Sequence, residues 1–177
     1  MFSQQKNILI TGLPGVGKTT LIIKIAEHIE NKKPVGFYTS EIREGGGRKG
    51  FRLKSFDEHE SILAHVNFRS QYKIGKYGIN VNGFEEFIDL IKFDDVSSII
   101  TIVDEIGKME CFSEKFRDLL IKLLVSKKLL IATIALRGNE FIEEVKMRND
   151  VQIFHLTTHN RDEVFLKIMK LIGYPII

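Results

Sequence analysis

Short apolar runs alternate with amphipathic stretches along this chain, the pattern of strands laid side by side and joined by helices. Strands are predicted at Asn7–Thr11 (NILIT), Val35–Thr39 (VGFYT), Ile99–Val103 (IITIV), Leu129–Ala135 (LLIATIA) and Val151–Leu156 (VQIFHL). The third and fourth runs are apolar at nearly every position, as expected of central strands covered on both faces. Helices show in apolar residues spaced at i, i+3, i+4 and i+7. Ile22, Ile25, Ala26 and Ile29 form one such stripe. Phe84, Phe87, Ile88 and Ile91 form another, with Asn82 as the expected N-cap and Glu85 three residues on. A third, Phe116, Leu119, Leu120 and Leu123, follows the candidate cap Ser113, and Phe165, Ile168, Met169 and Ile172 mark the last helix. The fold class is α/β.

The segment Gly36–Phe56 departs from this rhythm, reading as two extended arms around Gly45, Gly46 and Gly47, a glycine-rich hairpin. Asp57 to Val81 shows no helical period, and its "GKYGINV" reads as a further strand. The expectation is a mostly parallel sheet carrying an antiparallel extension. Nothing repeats and no linker divides the chain, so 1–177 is read as a single domain.

Composition narrows the function classes. The 177 residues are 44% hydrophobic and 28% charged, ordinary values for a globular protein. A net charge of +3, from 26 basic against 23 acidic residues, is too small to call for nucleic acid or membrane. One cysteine, Cys111, excludes an intrachain disulfide. The amino terminus, "MFSQQKNILIT", has neither the apolar segment nor the cleavage site of a signal peptide, and no window reaches the ~20 apolar residues of a membrane span. These readings point to a cytosolic protein with no membrane partner. No motif sets its assembly state.

The chemistry begins at "GLPGVGKTT". Gly12, Gly17, Lys18 and Thr19 match G-x-x-x-x-G-K-[ST] between a predicted strand and a predicted helix. In that context the backbone of Gly12, Leu13, Pro14, Gly15, Val16 and Gly17 curls around phosphate oxygens, and the helix start adds partial positive charge. Lys18 is placed to reach the β- and γ-phosphates, and the Thr19 hydroxyl to ligate Mg²⁺. Such a loop needs a second, acidic metal ligand at the end of a buried strand. "IITIVDEIGKME" supplies it in Asp104, expected to act through a water.

Binding, phosphoryl transfer and hydrolysis all start from this loop. Glu105, a second carboxylate beside the metal ligand, favours hydrolysis, because it can orient and deprotonate a water. A glutamate there is the habit of ATPases in which a strand is inserted between the loop strand and the metal-ligand strand. Gly107 and Lys108, on the loop leaving the same strand, complete the expected nucleotide site, with Lys108 as a catalytic cation. Arg43, Arg48, Arg137 and Arg148 are further candidates to neutralise transition-state charge. Thr133 reads either as a γ-phosphate sensor or as a core threonine satisfied by backbone. Arg48, Lys49, Arg52 and Lys54 interleaved with Phe51 fit a single-strand nucleic-acid contact, but a solvated hairpin is the favoured reading. A small-molecule or nucleotide kinase, and a nucleotide-dependent nucleic-acid-binding module, stay open at this point.

Four stretches together resemble one family, the small P-loop nucleoside-triphosphatases of the thermophile type, which also have a human cancer-related member. They are "GLPGVGKTTL", "GFYTSEIREGGGRKGF", "VDEIGKME" with "FSEKF", and "RNDVQIFHLTTHNRDEV". The resemblance implies a RecA-like P-loop NTPase fold. It implies hydrolysis of ATP, GTP, CTP, UTP and TTP to the diphosphate, with a nucleotide site formed by Gly12–Thr19 and Asp104–Lys108. The chain's own residues agree on base indifference, since no motif of the N-K-x-D kind reads a base edge.

Overall fold

The computed structural model describes residues 6–173. Residues 1–5, which open the polar amino-terminal segment, and residues 174–177 lie outside them, as do the two ends of the expected 1–177 unit. In chain order the elements are β1 (Asn7–Thr11), α1 (Lys18–His28), β2 (Val35–Glu44), β3 (Gly47–Ser55), β4 (Glu60–His65), β5 (Lys73–Ile74), β6 (Tyr77–Ile79), α2 (Val81–Leu90), β7 (Ile100–Ile106), α3 (Glu114–Val125), β8 (Leu129–Ile134), α4 (Glu140–Lys146), β9 (Val151–His155) and α5 (Arg161–Leu171). The nine strands form one sheet in the order β5-β6-β4-β3-β2-β7-β8-β1-β9. β2, β7, β8, β1 and β9 run parallel, and β3, β4, β6 and β5 extend the sheet antiparallel from β2.

Period-two alternation divides the core between the two faces of this sheet. Ile8 and Ile10 of β1 pack with Ile22, Ile25, Phe165 and Ile168 of α1 and α5. Leu9, between them, faces the opposite layer with Phe84, Phe116 and Ile142 of α2, α3 and α4. At the centre of that layer, Phe37 meets Phe84, Phe87 and Phe116 edge-on, with ring centroids 6.0, 5.7 and 6.4 Å away. β8 separates β1 from β7, the inserted strand that Glu105 led us to expect.

Several boundaries differ from the sequence expectations. β2 runs on to Glu44 and turns through Gly45 and Gly46, whose φ values of 56° and 76° suit a two-residue turn of the hairpin type. β7 continues through Asp104 and Glu105 to Ile106, with its register against β8 shifting between Val103 and Ile106. The cap of α2 is Asn80, not Asn82: its Oδ1 accepts from the Gly83 N–H at 3.0 Å. The reason is that Asn80 is still held in the sheet by its N–H to the Leu63 carbonyl, so the helix starts at the next residue. Glu85 consequently closes no capping box, and accepts instead from the Ser113 hydroxyl at 2.7 Å. Ser113 caps α3 as expected, its Oγ accepting from the Phe116 N–H. α4 went unread because, in a helix this short, only Ile142 and Val145 are fully buried, with Phe141 packed half-buried beside them, too few positions to show a period. No helix among the described residues is long and apolar enough to cross a membrane.

Candidate active site

β1 ends at Thr11 and the chain turns at once, because the carbonyl of Leu156, just beyond β9, lies where a side chain at residue 12 would begin. A Cβ on Gly12 would sit 2.5 Å from that oxygen, so only glycine fits. The loop then runs exposed through Leu13, Pro14 and Gly15, tucks Val16 into the core, and enters α1 at Gly17. Gly17 has φ 98° and caps α1 with no side-chain hydrogen bond. The first-turn N–H groups of α1 are therefore presented to the space inside the loop, the arrangement that receives an anion. Lys18 folds back over the loop, its Nζ donating to the carbonyls of Gly12 and Leu13 at 3.1 and 3.3 Å.

From β7, the Asp104 carboxylate reaches the foot of this loop. Thr19 Oγ1 donates to Asp104 Oδ2 at 2.7 Å, across 85 positions of sequence. The same carboxylate accepts from Thr133 Oγ1 of β8 at 2.5 Å and from the Thr39 N–H of β2 at 3.2 Å. Thr39 Oγ1 also donates to the Asp104 carbonyl at 2.6 Å, so three adjacent strands fix one side chain. Only 1% of Asp104 is exposed. Burial pushes its carboxyl above the usual range, and the hydroxyls of Thr133 and Thr19, the Thr39 N–H and the Lys18 charge pull the other way. Glu105 is half-buried, and burial raises its carboxyl too, with Lys18 lowering it and Asp104 raising it further.

Lys18, Thr19, Asp104 and Glu105 thus share one neighbourhood. Lys108 remains exposed on the loop after β7, with no hydrogen bond or ion pair among the described residues. Gly107 lies between two carboxyls: a Cβ there would meet Glu110 Oε2 at 2.7 Å and the Glu105 carboxyl carbon at 3.6 Å. Thr133 is neither satisfied by backbone nor free, since its hydroxyl is committed to Asp104. Most of the arginine candidates are also committed. Arg148 grips Asp150 with two bonds of 2.9 and 2.7 Å, and Arg43 and Arg48 both pair with Glu41. Arg137 is exposed just beyond β8.

Three residues of this region escaped the sequence reading. Thr39 lies inside "GFYTSEIREGGGRKGF", yet only its strand's position beside β7 brings it to Asp104. Glu110 lies inside "VDEIGKME" yet is buried beneath the site, its carboxyl pushed up to about 8 by burial and then by Glu105. Arg161, inside "THNRDEV", lays its guanidinium against Gly17.

The chain has relatives of known family and structure. A profile of the NTPase family matches residues 7–169. The nucleoside-triphosphatase THEP1 of Thermotoga maritima is 44% identical over 168 residues, covering 94% of this chain and 95% of that protein. The crystal structure of THEP1 from the hyperthermophile Aquifex aeolicus superposes with a TM-score of 0.83 at 35% identity, over 94% of this chain and 99% of that one. The solution structure of a human cancer-related nucleoside triphosphatase gives 0.80 at 30% identity, over 95% and 97% of the two chains. On the fold, the loop and these likenesses together, the chain belongs to the NTPase family.

Proposed function

We propose that this protein hydrolyses nucleoside triphosphates to the diphosphate and inorganic phosphate, with little selectivity among ATP, GTP, CTP, UTP and TTP and with magnesium as cofactor. The observation that carries the reading is the 2.7 Å bond between Thr19 and Asp104, which joins the phosphate loop to the acidic strand and leaves Glu105 beside the same centre. A hydroxyl and a carboxylate meeting there form the hard oxygen donor set that magnesium takes. Thr19 and Asp104 would hold the ion, Asp104 through a water. Once bound, it neutralises charge on the β- and γ-phosphoryl oxygens.

The protein's own groups do the rest. The backbone from Gly12 to Lys18 cradles the phosphates, Pro14 alone contributing no N–H. The Lys18 ammonium, resting on two loop carbonyls, is placed to exchange them for phosphate oxygens. A water oxygen attacks the γ-phosphorus, its proton passes to the Glu105 carboxylate, and the bond to the β-phosphate oxygen breaks with the diphosphate as leaving group. Burial makes Glu105 a stronger proton acceptor than a surface glutamate. Lys108, unpaired among the described residues on the adjoining loop, is the second cation for the departing phosphoryl group. Slow turnover is expected, because Arg43, Arg48 and Arg148, three of the four arginine candidates for neutralising transition-state charge, are committed to carboxylates. The unbroken sheet supports reading 1–177 as one catalytic unit, and a lone buried thiol, Cys111, fits the cytosol.

The test is phosphate release with no acceptor present. Steady release from all five triphosphates supports the hydrolase, whereas release that falls as an added acceptor becomes phosphorylated supports a kinase. Glu105→Gln should keep nucleotide affinity and lose about 10²-fold or more in kcat, while Lys18→Ala should weaken both. Equal turnover in Glu105→Gln and the parent removes Glu105 as the base.

A further inference from the structure

We infer that Arg161 is a nucleobase-stacking residue, and that its guanidinium plane is what lets one site hold triphosphates of any base. The inference rests on the reading of Gly12–Thr19 as a triphosphate cradle. Direction along the cradle comes from the sheet order. β8 and β7, with Thr133, Asp104 and Glu105, lie on one side of β1, and β9 lies on the other. The reacting γ-phosphoryl belongs with the carboxylates, so the nucleoside leaves the cradle toward β9. The side chain standing at that exit is Arg161.

Its pose is specific. Three guanidinium-end atoms of Arg161, Cζ, Nε and Nη1, are all 3.3 Å from the point where a Cβ on Gly17 would stand. Equal distances to three atoms of one plane mean that the plane lies face-on over the glycine. Gly17 is therefore constrained both by its φ of 98° and by the arginine resting on it. Arg161 is exposed and makes no hydrogen bond or ion pair among the described residues, so one face rests on the loop and the other is open. Arg48, Arg52, Arg117 and Arg148 by contrast all have partners.

The support beneath Arg161 is built. Asn160 accepts from the Thr157 N–H at 2.8 Å and donates to the His155 carbonyl at 2.9 Å, fixing the turn between β9 and α5. The Leu156 N–H donates to the Thr11 carbonyl at 2.7 Å, tying that turn to the start of the phosphate loop. Two turns along α1 from Gly17, Lys24 pairs with Asp162 at 3.1 Å and sits 4.3 Å above the Phe165 ring, so α5 also meets α1 there. A delocalised cation held flat in this way attracts the π face of any base without reading its edge.

Calorimetric titration with non-hydrolysable β,γ-imido analogues of ATP, GTP, CTP and UTP, and with inorganic tripolyphosphate, tests this. Arg161→Ala should weaken all four nucleotides by on the order of 10-fold, the purines more than the pyrimidines, with tripolyphosphate affinity unchanged. Arg161→Lys, which keeps the charge but not the plane, should recover little of the loss. Arg161→Gln serves if the alanine protein does not fold. Nucleotide affinities equal to the parent's overturn the inference, and so does an equal loss for tripolyphosphate, which would make Arg161 a phosphate contact. A parent that binds the analogues but releases no phosphate counts against the hydrolysis reading alone, and the affinities still decide the stack.

Discussion

At the scale of single residues, the site is organised around a buried carboxylate that would be costly without its partners. Replacing Thr133 by valine keeps the shape but takes away the donor to Asp104 Oδ1. Leaving a buried acceptor short of one bond costs about 1–3 kcal/mol, which chemical denaturation will read, and we expect a fall in kcat as Asp104 loses its fixed rotamer. Unchanged stability and rate would show that Thr133 only fills space. Glu110 gives a pH signature. Its folded carboxyl titrates at about 8, above the ordinary value of 4.5, so the native state holds a proton that the unfolded chain has released between those values. Below pH 4.5 the group contributes nothing to the pH dependence, and the penalty grows as pH rises to about 8 and then levels. The stability of Glu110→Gln relative to the parent should therefore rise across that window, by on the order of 4 kcal/mol at its end. A flat difference would show Glu110 to be ionised in the folded protein.

At the scale of elements, a glycine inside β2 and one in the turn that follows it should respond to a different degree. Gly36 of β2 has φ 135°, and a Cβ there would stand 1.8 Å from the Ile102 carbonyl of β7. Gly36→Ala must part the strands that align Thr39 with Asp104, and we expect a loss of more than about 4 kcal/mol or no soluble protein. Gly45, in the turn of the hairpin, has φ 56° and nothing near the added carbon, so Gly45→Ala should cost only about 1–2 kcal/mol. Similar losses in thermal melts of the two would contradict this account. Element identity was legible wherever periodicity was long: the strand that feeds the phosphate loop and the stripes of α1, α2, α3 and α5 all lie where the apolar pattern put them. β6 falls inside the "GKYGINV" read as a further strand, but α4 and the two-residue β5 were not legible, because so few residues carry too little period to separate an element from a loop. The cap of α2 was misplaced for another reason: which of two nearby asparagines caps it depends on where β4 releases the chain.

At the scale of the whole molecule, the charges of the hairpin decide between a nucleic-acid arm and a structural one. Arg43 and Arg48 pair with Glu41, and Arg52 and Lys54 pair with Glu60. Phe51 packs on Tyr77 at 5.3 Å, with the Arg48 guanidinium 5.1 Å from its ring centre. Glu41 and Glu60, each shared by two cations, offset part of the hairpin's positive charge, so affinity for a single-stranded oligonucleotide should be weak and its dependence on salt shallow. A steep salt slope would return the hairpin to the list of functional surfaces. Removal of divalent ions by chelation should stop phosphate release, and magnesium should restore it. Persistent release in excess chelator would detach Thr19 and Asp104 from the proposed ion.

The sequence by itself determined the phosphate loop, its acidic partner and the strand-and-helix alphabet, because each depends on residue types at fixed local spacing. Gly12 to Thr19 and Asp104–Glu105 carry their chemistry in a few consecutive positions. Tertiary structure alone decided what stands around them: Thr39 and Thr133 on Asp104, Glu110 beneath Glu105, Arg161 across Gly17, and Arg43, Arg48 and Arg148 bound elsewhere. Those relations join residues far apart in the chain, and they exist only once the order of strands in the sheet has set which side chains become neighbours.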